Sequence, residues 1–146
     1  MVDQVRTELT ASQQYVAAAV WLDGQDLPRL AARFYAQARE ERDHAMMMVR
    51  YLPDKDLPVA TRRTGKIRNR FASVRDVVAL ALDQENNVTE QITTLARTAR
   101  AEGGYVGEQF IQWFLKEQVE EVASRSEWWT GPVRIFFASR TSSPAS

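Results

Sequence analysis

Glu41 and His44, the single histidine of the chain, stand three residues apart in Glu40-Glu41-Arg42-Asp43-His44. On an α-helix this spacing puts both side chains on one face. A carboxylate oxygen beside an imidazole nitrogen can ligate one transition-metal ion, and the second carboxylate oxygen can bridge to a neighbouring ion. The pair is half of a di-metal site. Taken alone, Glu-x-x-His also occurs by chance on solvated helix faces. Here it interrupts the apolar stripe Phe34, Ala38, Glu41, Ala45, Met48, Leu52, and an unpaired carboxylate buried in such a seam costs several kcal/mol.

The same interruption recurs. Glu8 lies in the first helical stretch, Glu85 in the stripe Val78, Leu82, Glu85, Val88, Ile92, Leu95, Ala99, and Gln118 with Glu121 beside Phe110, Phe114 and Val122, flanked by Glu117 and Glu120. No Lys or Arg is equally placed along these seams, so a metal is the available counter-charge; the plain alternative is a set of solvated faces. Oxygen-rich ligation with one imidazole suits iron or manganese better than structural zinc. Tyr15, two turns beyond Glu8 on the same face, can reach such a site with its hydroxyl or serve as a core aromatic. Met46, Met47 and Met48 read as core filling. The cluster Arg62, Arg63, Lys66, Arg68, Arg70 lacks interleaved aromatics and reads as a solvated loop.

Four helices must position these groups. Val5, Leu9, Val16 and Val20, with Tyr15 and Leu22, predict a first helix over 2–22. Gly24, a capping Asp26 and Pro28 predict a stop and a second, antiparallel helix from Pro28 to Leu52. The stretch from Pro53 to Ser73 is long enough to cross a bundle, which would set the third helix parallel to the second. Ser73 can cap that helix, Gly103-Gly104 can end it, and a fourth begins near Tyr105. After Ser124 the sequence changes character. Gly131 and Pro132 are expected to stop the helix, Val133 to Ala138 reads as a short strand-like run, and Ser139 to Ser146 as disordered. The expected class is therefore all-α, a four-helix bundle with one long crossover between helices 2 and 3: a di-metal domain over 1–130 and a poorly ordered tail over 131–146.

Composition narrows the function. With 146 residues, 45% apolar and 26% charged, the chain can bury the core of one domain. Its 19 basic and 19 acidic residues cancel, so neither nucleic acid nor an anionic membrane is an expected partner. The absence of cysteine excludes a disulfide framework, a thiolate nucleophile and a zinc–thiolate site. No run approaches the roughly 18 apolar residues a membrane helix needs, and a cytoplasmic location is expected.

Four segments in order, Glu8-Leu9-Thr10-Ala11-Ser12-Gln13-Gln14-Tyr15, Ala38-Arg39-Glu40-Glu41-Arg42-Asp43-His44-Ala45, Ala81-Leu82-Asp83-Gln84-Glu85 and Gln112-Trp113-Phe114-Leu115-Lys116-Glu117-Gln118-Val119-Glu120-Glu121, resemble the bacterial non-haem ferritins, above all those of mycobacteria and their relatives. The resemblance covers Asp3 to Ala123. It implies an iron-storage ferroxidase that oxidises Fe(II) with dioxygen or peroxide at a di-iron centre and mineralises it inside a 24-subunit octahedral cage. It assigns Glu8, Glu41 and His44 to a first iron, with Glu41 bridging to a second held by Glu85 near Gln118. Glu40, Glu117, Glu120 and Glu121 match acids that form or feed a third iron site, and Tyr15 matches the tyrosine beside the centre. Glu108 matches an acid of the iron uptake channel, whereas its partner position is Ile111 here. Bacterioferritins differ by a second Glu-x-x-His and a haem-binding methionine between Glu and His; this chain has Arg42 and Asp43 in that gap, so haem is not expected. Two departures stand out: a first helix that starts late, and a sequence after Ala123 unlike the family's. They raise a second reading, an assembly-impaired ferritin subunit that serves as a structural co-assembling partner.

Overall fold

A computed structural model describes residues 2–51, 65–103 and 105–130. Four helices follow in order: α1 Val2–Gly24, α2 Pro28–Tyr51, α3 Val74–Glu102 and α4 Tyr105–Thr130. Among the described residues there is no strand, as the all-α class requires. The chain divides into two compact units, Met1–Gln91 and Ile92–Ser146. Leu52, Pro53, Pro58, Arg62, Arg63 and the expected tail over 131–146 lie outside the described residues.

In the first unit α1 and α2 run antiparallel. Ser12 Oγ donates to the Ala38 carbonyl at 2.7 Å, and the Tyr15 and Phe34 rings meet edge to face at 5.7 Å. The buried face of α1 runs through Val5, Glu8, Ala11, Tyr15, Ala18 and Leu22. Val20, expected on that face, is instead 56% exposed: twelve residues beyond Glu8, it is turned about a third of a circle away. The apolar pattern misleads because alanines, not valines, occupy much of the contact.

The turn between α1 and α2 also differs from expectation. The Leu27 N–H bonds to the Leu22 carbonyl and the Asp26 N–H to that of Asp23, both at 3.1 Å, while Asp26 takes a left-handed φ of 62°. This is the Schellman closure of a helix. Asp26 therefore ends α1 and does not cap α2; Leu27 fills the capping position, its carbonyl accepting the Ala31 N–H, and Pro28 opens the first turn as expected.

Residues 65–71 return along α1. The Gly65 N–H donates to Thr10 Oγ1 at 2.8 Å, the Gln14 side-chain amide exchanges two 2.8 Å bonds with the backbone of Arg68, and Phe71 packs edge to face on Trp21. Partners advance together along both segments, so the crossover runs parallel to α1. It delivers α3 antiparallel to α1 and parallel to α2, as its length predicted. Ser73 caps α3 by accepting the Asp76 N–H at 3.2 Å. Lys66, Arg68 and Arg70 are exposed, Arg68 pairing with Asp76 and lying 5.1 Å over Phe71. The solvated-loop reading holds for these three.

In the second unit Gly103 closes α3 with a φ of 72°, the left-handed state glycine adopts without penalty. The buried side of α4 passes through Ile111, Phe114 and Gln118, with Phe110 half-buried. Ile111, at the position where the resemblance implies a channel acid, is thus a core residue. The nearby Glu108 pairs with Arg100 at 3.8 Å. The helix continues through Trp128 and Trp129 to Thr130, since nothing between Ser124 and Thr130 is a helix breaker.

Candidate metal centre

Glu8 from α1 and Glu41 and His44 from α2 each offer one ligand atom within 4.8 Å of the other two, and all three side chains are buried. The helical (i, i+3) relation brings His44 Nδ1 to 3.6 Å from Glu41 Oε2. The antiparallel register that pairs Tyr15 with Phe34 is what sets Glu8 opposite Glu41. Glu85 comes from α3 and meets α1 through Tyr15, whose hydroxyl donates to its Oε1 at 2.6 Å. Glu8, Glu41 and Glu85 are 0, 0 and 1% exposed. No lysine or arginine whose burial is described is buried, so among these residues His44 is the one basic side chain set beside three buried acids.

Electrostatics follow from that burial. Glu8 holds its proton well above the usual carboxyl range: loss of solvent is the main cause, and the Glu41 carboxylate adds to it by hydrogen bonding and repulsion. The positive form of His44 and the Gln4 amide oppose this, and are outweighed. A divalent cation among these ligands would displace the proton and supply the missing charge. Such a donor set, two carboxylates with one imidazole, fits iron or manganese.

Two buried glutamines and a half-buried one went unread in the sequence. Gln4 Nε2 donates to Glu8 Oε1 at 3.2 Å and Gln37 Nε2 to Glu41 Oε1 at 2.8 Å, while Gln14 holds the crossover. For Gln4 and Gln37 the available signal was a glutamine four residues before Glu8 and before Glu41. Of the other expected ligands, Glu40 is exposed on α2; in the second unit Gln118 is buried, Glu117 and Glu121 half-buried and Glu120 exposed.

Comparison with known proteins places this geometry. A family model described as a ferritin-like domain matches residues 1–130. Ferritin BfrB of Mycolicibacterium smegmatis is 62% identical over 122 residues, covering 84% of this chain and 67% of that protein. A bacterial non-heme ferritin of Staphylococcus aureus is 33% identical over 121 residues, covering 83% and 73%. Among solved structures, the Chlorobium tepidum ferritin matches with a TM-score of 0.81 at 26% identity over 97% of this chain and 94% of that one. An open-pore ferritin from Archaeoglobus fulgidus gives 0.78 at 27% identity over 84% and 76%.

Proposed function

Because this chain belongs to the ferritin-like family, we propose that it stores iron, oxidising Fe(II) with dioxygen or peroxide at the Glu8, Glu41, His44 cluster and depositing it as mineral inside a cage of its own copies. The observation that carries the reading is the burial of Glu8, Glu41 and Glu85 without a buried lysine or arginine among the residues whose burial is described.

In this reading Fe(II) is the substrate. Glu8, Glu41 and His44 hold one iron, and Glu41 shares its carboxylate with a second iron bound by Glu85. Hard anionic oxygens favour Fe(III) over Fe(II), so the same ligands that bind the ion lower the cost of losing its electron. Tyr15 fixes the Glu85 carboxylate from α1. Glu8 releases its proton as the ion enters, which couples uptake to pH. A subunit retained only as a structural partner would gain nothing from buried acids that destabilise it, so the burial favours the active reading. The test is Fe(II) oxidation by the purified chain, followed together with iron content and size-exclusion profile. Oxidation no faster than in buffer would refute the proposal.

A further inference from the structure

We infer that Gln4 and Gln37 are positioning residues for the metal: each donates its side-chain amide to Oε1 of the carboxylate one helical turn ahead, and so leaves Oε2 aimed at the ion. The inference deepens the metal reading of Glu8, Glu41 and His44 and rests on it. Both helices carry the same device, Gln-x-x-x-Glu, whose (i, i+4) spacing stacks the two side chains on one face. Gln4 reaches Glu8 at 3.2 Å and Gln37 reaches Glu41 at 2.8 Å, in each case through Nε2 to Oε1. Against the ionised carboxylates that hold a metal the reverse amide orientation would set a carbonyl oxygen, so N–H donation is the orientation that suits ligation.

What the bonds leave over is the point. On Glu41 the other oxygen, Oε2, lies 3.6 Å from His44 Nδ1. On Glu8 it is buried and accepts no hydrogen bond. A glutamate has three side-chain torsions, the last of them broad and roughly two-fold, so an untethered carboxylate samples several ligand directions. Tying one oxygen selects one direction before the ion arrives, and such outer partners of metal ligands typically change affinity by ten- to a hundredfold. The neutrality of the amides matters equally. A lysine or arginine would hold the carboxylate but cancel the charge that attracts a dication, whereas an apolar side chain would leave it loose. Tyr15 serves Glu85 in the same way, another neutral donor on Oε1.

Co(II) titration of the metal-free full chain, followed by its visible d–d bands, tests this. Gln4→Met and Gln37→Met keep length and remove the donor; Gln37, half-buried, is the position that tolerates the change more readily. The expected result is a Kd for Co(II) raised about tenfold or more together with shifted bands. Parent affinity and unchanged bands in a folded Gln37→Met chain, with only a lower unfolding temperature, would overturn the positioning role and leave the metal reading standing. A parent chain that binds no Co(II) would overturn both.

Discussion

Tyr15 and Glu85, seventy residues apart in the chain, are joined by a 2.6 Å hydrogen bond from the phenol to Oε1 of the buried carboxylate. Tyr15→Phe keeps the ring against Phe34 and deletes this bond. Leaving this buried acceptor without its donor is expected to cost about 1–3 kcal/mol, measured by denaturant unfolding of the metal-free chain. Parent stability would show that Glu85 is not held from α1.

His44→Ala and Glu85→Ala are each expected to slow the rapid phase of Fe(II) oxidation at least about tenfold, as loss of a metal ligand does. Stopped-flow absorbance measures this. Parent rates in both variants would dismiss the assignment of the site.

A carboxylate that serves two ions matters more than one that serves a single ion. Glu41→Gln is therefore expected to abolish binding of a second Fe(II), or of a redox-silent Zn(II) surrogate, whereas Glu8→Gln weakens mainly the first. Calorimetric titration counts the ions. Equal losses in the two variants would take the bridging role from Glu41.

The Glu8 proton gives a pH dependence with a definite sign. Its folded-state affinity for the proton is raised, chiefly by burial, so the stability it contributes is fully present below the ordinary carboxyl range and is lost as pH rises through the folded value. The metal-free chain is expected to melt at lower temperature at neutral than at mildly acidic pH. Glu8→Gln, neutral throughout, should flatten that slope and bind Fe(II) more weakly. A slope equal to the parent's in the variant would remove Glu8 as its source.

Asp26 ends α1 with a φ of 62°, where a side chain is strained and glycine is not. Asp26→Gly is expected to stabilise the chain by about 0.5–1 kcal/mol, read from thermal unfolding. A destabilised variant would mean that the Asp26 carboxylate contributes more than its backbone strain removes.

The positions of the helices and of Glu41 beside His44 were legible because both rest on local rules, the spacing of 3.6 residues per turn and the punctuation supplied by Pro28, Ser73 and Gly103. What was not legible depended on distant partners. Val20 turns outward because the buried face of α1 passes through Ala11 and Ala18, small residues that hydrophobicity undervalues. Asp26 looks like an N-cap in sequence, and only the hydrogen bonds to Leu22 and Asp23 show that it closes the preceding helix. Gln14 is a polar letter on a helix, indistinguishable from a surface residue until the Arg68 backbone it holds is seen opposite it, while Gln4 and Gln37 offered only their spacing one turn before Glu8 and Glu41.

The docking of residues 65–71 on α1 makes two backbone amides into private reporters. The N–H groups of Gly65 and Arg68 are held by Thr10 and Gln14, side chains 55 and 54 residues earlier in the chain, and belong to no helical ladder. Their exchange with deuterium needs only that this strap lift from α1, while the amides within α1 need the helix itself to open. The ratio of the two exchange rates thus separates the detachment of one segment from the melting of the unit beneath it.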